Sequence, residues 1–290
     1  MRSIAVNKIV LFGDSQTEQS SSQAGGFNLA PALQHEYWSK LQVITHGYGG
    51  YNTEHGRHII NAILQAETPA PTQTNRPRCS KIKLLVIFFG TNDAADPKHN
   101  TLSQCVPIDR YKENLSYMVE VAKGHGVEAV VLVGPAPVNE LAPEAPPDRD
   151  TERARQYSDA AAQVAGKFGK RNNVTFIDLW QAFMDSTGWK EGQPIPGQKT
   201  RIAGGECAGA VQSSYPSRAL ATSRALAGLL ASDGVHFTAN GYQIWYDVLR
   251  QTIREQWPAL RSENLKTIFP HIFDVDANDL PASLWQHLED

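Results

Sequence analysis

The sequence predicts an α/β fold in which a mostly parallel sheet carries helices on both faces, and three features point there. Five short, β-branched-rich apolar runs, at residues 9–12, 41–45, 84–89, 129–133 and 174–178, alternate with longer segments of helical periodicity. The third and fourth runs are apolar at nearly every position, as strands covered on both sides must be. At 290 residues the chain is long enough to bury both faces of such a sheet.

The helical segments follow in order. Residues 27–38 carry Leu29, Leu33 and Tyr37 at a spacing near four. Residues 110–124 place Tyr111, Leu115, Met118 and Ala122 on one face, with Gly124 or Gly126 able to end the helix in a left-handed turn. Residues 151–170 are Ala-rich and follow a Pro-rich turn, with Thr151 as the expected cap. Residues 239–257 repeat Tyr242, Trp245, Tyr246 and Leu249, a stripe that suits core packing better than cofactor binding, and Thr238 is the expected N-cap.

Three segments stand outside this pattern. Residues 67–81, rich in Pro, Thr and Asn, read as an exposed loop. Residues 183–215 hold six glycines and form a long insertion; either it is a peripheral excursion, or it is a lid in which Trp189, Ile195, Pro196 and Ile202 line an acyl pocket. The expected catalytic domain is residues 1–257. The extension 258–290 carries Ile268, Phe269, Ile272, Phe273, Leu280, Leu284 and Trp285, and is expected to pack on the body or on a second subunit, which makes a homodimer one expectation.

Composition removes several classes. With 27 basic and 30 acidic residues, a net charge of -3 and no block of like charge, the surface offers phosphate backbones no long-range attraction, so nucleic acid is not an expected partner. No uncharged apolar stretch approaches the length a bilayer requires. Cys79, Cys105 and Cys207 have neither metal-knuckle nor redox spacing and read as free thiols. The first apolar run is interrupted by Asn7 and Lys8 and lacks a cleavage site, so a cytoplasmic enzyme is the expectation.

Chemistry concentrates just past the ends of the predicted strands. A serine hydroxyl becomes nucleophilic only when a base takes its proton. Ser15, in Gly13-Asp14-Ser15, leaves the first strand through a small-residue turn at the sheet edge where ligands bind in open parallel sheets. His236 follows Asp233 by three residues with Gly234 between to bend the chain, a spacing that lets the carboxylate hold one ring nitrogen while the other faces a serine. A tetrahedral intermediate also needs fixed donors, and the Asn92 amide after the third strand and a Gly50 backbone N–H after the second can supply them. Asp14 and Asp93 are read as holding backbone donors in their turns. His55 and His58, spaced i, i+3, lack a third ligand and are read as a solvated helix face, so neither metal nor cofactor is expected.

These four segments resemble the blocks of the SGNH hydrolase superfamily, the GDSL esterases and lipases. Gly13-Asp14-Ser15 is similar to its nucleophile block, Gly50 to its glycine block, Asn92 to its asparagine block, and Asp233 with His236 to its terminal block. The resemblance implies a flavodoxin-like three-layer α/β/α sandwich around a five-stranded parallel sheet. It also implies an oxyanion hole formed by the backbone N–H groups of Ser15 and Gly50 and the side-chain amide of Asn92. The segments 12–18, 50–53 and 233–237 further resemble the isoamyl acetate-hydrolysing esterase branch, which implies short-chain acetate esters as substrates. The residue 183–215 insertion and the C-terminal extension depart from that branch.

A carbohydrate O-acetylesterase, a thioesterase or a lysophospholipase would use the same groups on other small-molecule or lipid esters. A nucleotide or flavin module is disfavoured by the lack of a Gly-x-Gly-x-x-Gly turn after the first strand. A catalytically inactive binding scaffold would be expected to lack one member of the constellation, and every expected polar group is present.

Overall fold

Successive strand residues point to opposite sides of a sheet, so a strand with helices on both sides must be apolar throughout. In β1 (Lys8–Gly13), Val10 and Phe12 enter one core while Ile9 and Leu11 enter the other. The same division runs through β3 (Ile82–Phe88) and β4 (Ala129–Val133), whose residues are almost all buried. With β2 (Gln42–Gly47) and β5 (Val174–Ile177) they form a sheet of order β2-β1-β3-β4-β5, parallel at every pairing. The chain is seen here in a computed structural model that describes residues 4–68, 80–199 and 226–285.

Parallel neighbours need long crossovers, and helices supply them. Helix α2 (Leu29–Glu36) leads from β1 to β2, and α3 (Thr53–Glu67), α4 (Ile108–Gly124) and α5 (Thr151–Phe168) make the following three connections. Helices α3, α4 and α5 cover one face through Ile60, Leu64, Leu115, Met118 and Val164. Helix α2, α6 (Leu179–Ser186) and α7 (Ala239–Gln256) cover the other through Leu33, Phe183, Trp245 and Leu249. The result is the three-layer α/β/α sandwich around a five-stranded parallel sheet that the resemblance implies. Among the described residues no helix is long and apolar enough to cross a membrane.

The structure corrects several expectations. Helix α3 reaches Glu67, which pairs with Lys8 at 2.7 Å and with His46 at 2.9 Å rather than opening an exposed loop; residues 69–79 lie outside the described residues. Residues 183–186 complete α6, started by Asp178, whose carboxylate accepts from the Gln181 N–H, so they are not part of an excursion. The cap of α5 is Asp150, accepting from the N–H groups of Glu152 and Arg153, and Thr151 instead is the first helical residue.

The C-terminal segment divides in two. Leu260 and Leu265 join the body's core, Tyr37 donates to the Leu260 carbonyl at 2.9 Å, and the Ile268 N–H reaches the Ser39 carbonyl at 2.7 Å. Beyond that point the chain lies on itself, Phe269 edge-on to Trp285, and leaves Ile272 71% and Phe273 89% exposed. Of the two expectations for this extension, packing on the body or on a second subunit, the first holds for Leu260 and Leu265 and not for Ile272 and Phe273. Among the described residues Pro270 is followed by one 3-10 turn, Ile272–Asp274, and a short helix α8, Leu280–Trp285.

Trp245 is fully buried, with its ring edge-on to Phe88 at 4.7 Å between centroids. Replacing it by alanine removes that contact and leaves a cavity, so Trp245→Ala is expected to cost about 3–5 kcal/mol in urea unfolding. Ile272→Ala, in the exposed segment, is expected to change stability by less than about 0.5 kcal/mol. Equal losses would contradict this assignment of core and periphery.

Candidate active site

The turn after β1 is crowded. A Cβ on Gly13 would lie 2.2 Å from the Phe88 carbonyl oxygen, so only glycine lets β1 end this close to β3. Asp14 then caps α1 (Ser15–Gln19) by accepting from the Gln16 N–H at 2.9 Å, which leaves Ser15 as the first helical residue, half-buried at the carboxyl end of β1. From β1 the chain crosses to β2 on one side, while β3 flanks β1 on the other. Such a reversal of strand order opens a crevice at the sheet edge.

The loop before α7 brings His236 to the same place. Thr238 caps α7, and the backbone closes on itself through Ala231 N–H to the His236 carbonyl at 2.7 Å and Thr238 N–H to the Leu229 carbonyl at 2.9 Å. One Asp233 oxygen accepts from the N–H groups of Val235 and His236, at 2.9 and 3.0 Å. The other lies 2.6 Å from His236 Nδ1, and His236 Nε2 lies 2.9 Å from Ser15 Oγ. Partial burial works against the Asp233 charge, but the hydrogen bonds from the ring and the two backbone N–H groups prevail and hold its pKa below the usual carboxylate value. An ionised Asp233 can only accept, so the ring proton sits on Nδ1 and Nε2 is left to accept from the serine hydroxyl.

Gln16 and Tyr242 complete this half of the site, and sequence reasoning missed both. The Gln16 side chain donates to the Val235 carbonyl at 2.8 Å and accepts from the Phe237 N–H at 3.3 Å, bracketing His236. Tyr242 donates to the Gln16 carbonyl at 2.8 Å. The only signal for Gln16 was its place next to Ser15; Tyr242 read as an ordinary core aromatic.

The opposite wall carries the expected anion-binding groups. Gly50 has φ +77°, a left-handed conformation that favours glycine, and Gln104 Nε2 donates to its carbonyl at 2.9 Å. Asn92 donates from Nδ2 to the Tyr51 carbonyl at 2.8 Å and accepts at Oδ1 from Arg149 at 3.0 Å. Ser15, Gly50, Asn92, Asp233 and His236 all line one cavity of about 600 Å³, together with Pro147 and Arg149. This arrangement can pass a proton from a serine to a histidine beside an amide donor in a single water-accessible cleft.

Trp189 and Ile195, expected at an acyl pocket, are not among the residues lining that cavity. Trp189 packs edge-on to Trp180 at 5.5 Å, in a satellite core with Ala154, Met184 and Ile195. Trp189 is 6% exposed and Trp180 1% exposed in that packing, so the indole of Trp189 is taken up by the satellite core. Ile202 and the rest of residues 200–225 lie outside the described residues. His55 belongs to the capping box of α3, accepting at Nδ1 from the Asn52 N–H, and His58 faces Glu54 at 3.8 Å. Among the described residues no cluster of three or more His, Cys, Asp or Glu is placed to hold a metal.

Comparison with known proteins agrees with this architecture. The sequence profile of the GDSL-like lipase/acylhydrolase family matches residues 11–198. A GDSL esterase/lipase of Arabidopsis thaliana is 26% identical over 285 residues, covering 94% of this chain and 95% of its own. The isoamyl acetate-hydrolyzing esterase of Saccharomyces cerevisiae is 25% identical over 275 residues, covering 89% of this chain and 91% of its own. The crystal structure of a lipase/acylhydrolase from Enterococcus faecalis shares the fold, with a TM-score of 0.52 at 21% identity over 90% of this chain and 98% of that one.

Two carboxyl groups lie beneath the cleft. Asp93, fully buried, accepts from the N–H and hydroxyl of Thr53, yet burial pushes it up to about 7. Burial likewise pushes Asp14 up to about 7, against the Gln16 hydrogen bond and reinforced by the charge of Asp93. The folded Asp14 therefore keeps its proton to near pH 7, whereas in the unfolded chain it ionises near its ordinary value of 3.8. Between those limits the folded state binds more protons, so this group's contribution to stability is lost as pH rises. Asp14→Asn, which keeps the capping oxygen, is expected to gain about 1–4 kcal/mol on the native protein between pH 4 and pH 8 in urea unfolding. A difference independent of pH would contradict a protonated Asp14.

Proposed function

We propose that this chain, which belongs to the GDSL-like lipase/acylhydrolase family and is accordingly a carboxylic ester hydrolase, cleaves short-chain, acetate-type esters through an acyl-enzyme on Ser15. The observation that carries the mechanism is the continuous hydrogen-bonded line Asp233, His236, Ser15 opening on a cavity that also holds Gly50 and Asn92.

The ester binds with its carbonyl oxygen toward the N–H groups of Ser15 and Gly50 and the amide of Asn92. His236 Nε2 takes the hydroxyl proton as Ser15 Oγ bonds to the carbonyl carbon, and the carbonyl π pair moves onto oxygen. Asp233 stabilises the imidazolium that forms, and the three donors stabilise the oxyanion. Collapse of the tetrahedral species breaks the bond to the alcohol, which leaves with the proton from His236. Water then adds to the acyl-enzyme with His236 again as base, and the second collapse releases the acid and restores Ser15. Every proton removed is returned, and each step is carried by the side chains and backbone groups named above.

Support for acetate-type substrates comes from the yeast relative, whose name describes an isoamyl acetate-hydrolyzing esterase. Hydrolysis of p-nitrophenyl esters from acetate to palmitate tests both parts. Turnover is expected to be fastest on acetate and to fall with acyl length, and Ser15→Ala is expected to lose about 10³-fold or more in kcat on every rung. A maximum at long acyl chains would overturn the substrate, and turnover indifferent to the substitution would overturn the nucleophile.

A further inference from the structure

The wall of the cleft opposite His236 contains a cation that the mechanism above does not use. Arg149 lies in the connection between β4 and α5, and its side chain is only 10% exposed. Its Nη1 donates to Asp148 Oδ2 at 2.5 Å, and Asn100 Nδ2 donates to the same oxygen at 2.6 Å. Its Nη2, with two hydrogens, serves two amides at once: Asn92 Oδ1 and Gln104 Oε1, each at 3.0 Å.

Both amides carry that constraint onward. A carboxamide has two orientations that exchange oxygen for NH2. Turning the Asn92 amide over would set its oxygen against the Tyr51 carbonyl and its NH2 against the guanidinium, losing two hydrogen bonds and creating two repulsive contacts. Turning Gln104 over would set its oxygen against the Gly50 carbonyl and its NH2 against Arg149 and Asn100. Buried polar groups are costly to leave unpaired, so each orientation is strongly preferred. In the observed one, Asn92 uses one Nδ2 hydrogen on Tyr51 and keeps the second for the cleft.

We infer that Arg149 is a positioning residue for the oxyanion hole, fixing the Asn92 amide directly and, through Gln104, the Gly50 carbonyl on the peptide that follows the Gly50 N–H, so that one guanidinium orients one donor and braces the residue that carries a second. The inference rests on the esterase reading for its catalytic consequence. Its physical basis is the fork of the guanidinium, which points two donors in fixed directions where an ammonium offers a single compact charge. The nearby positive charge also polarises the Asn92 amide at its oxygen and strengthens the N–H left for substrate. Asp148 and Asn100 hold the fork in place from behind.

Arg149→Lys, which keeps the charge, and Arg149→Met, which keeps most of the volume, separate these effects. Both are expected to lower kcat on p-nitrophenyl acetate by about 10- to 100-fold with KM changed less than about 3-fold, because the hole acts on the transition state. In an Asn92→Ala background the loss from Arg149→Lys should shrink to under about 5-fold, since groups acting through one another are not additive. A native-like Arg149→Lys, or losses that multiply in full with Asn92→Ala, would overturn the inference.

A readout free of substrate keeps the two readings apart. In protein labelled with 15N-asparagine, the Asn92 side-chain NH2 resonances are expected to shift in Arg149→Lys and to stay in place in Ser15→Ala. Unmoved resonances in Arg149→Lys would overturn the clamp even if esters are hydrolysed. Loss of turnover on every ester would sink the esterase reading, while displaced Asn92 resonances would still support the clamp.

Discussion

The side chain of Gln16 joins two segments 219 residues apart in sequence, and the site depends on that join. Its amide donates to the carbonyl before His236 and accepts from the N–H after it, while its own backbone follows directly from Ser15. The separation between serine and imidazole is thus set by a buried hydrogen-bonded bridge between their immediate neighbours. Phe237 anchors the same bridge from below, packing against Phe183, Tyr242 and Trp245 in the core. A site built on groups locked by packing keeps its geometry while substrate and solvent exchange.

Sheet order supplies the other constraint. With β1 between β2 and β3, the turns after these three strands converge, and they bring Ser15, Gly50 and Asn92 to one cavity. Crowding there has a cost: Asp14 and Asp93 cap and brace the turns from positions with no solvent, and both hold their protons more tightly as a result. The turn geometry is held by groups that would be more comfortable in water, and the apolar cores on both sides of the sheet offset that cost.

Much of this was legible in sequence. Strand positions followed from short apolar runs, unbroken in β1, β3 and β4 and interrupted by Gln42 and Thr175 in the edge strands, and β4 matches its expected bounds at both ends. Helix α7 and its Thr238 cap followed from an aromatic stripe and a polar residue before it. Helix α3 was anticipated only as the solvated face carrying His55 and His58, and its bounds were not legible because Gly56, against the Phe89 ring, and the two histidines break its apolar period. Helix α6 was masked by the glycines that follow it. Trp189 and Ile195 misled because a large apolar residue in a loop carries no mark of which cavity it fills. Gln16, Gln104 and Arg149 were silent for a deeper reason. Each matters only through partners far away in sequence, and a lone polar residue shows nothing of the contacts that tertiary structure will give it.

The central claim is that Ser15 becomes covalently acylated with His236 as its base. Reaction with a fluorophosphonate, followed by intact mass and peptide mapping, tests it most directly because the adduct does not turn over. One phosphonyl group per chain, located on Ser15 and greatly slowed by His236→Ala, is the predicted result. A label on another residue, or no label in a protein that still hydrolyses esters, would contradict it.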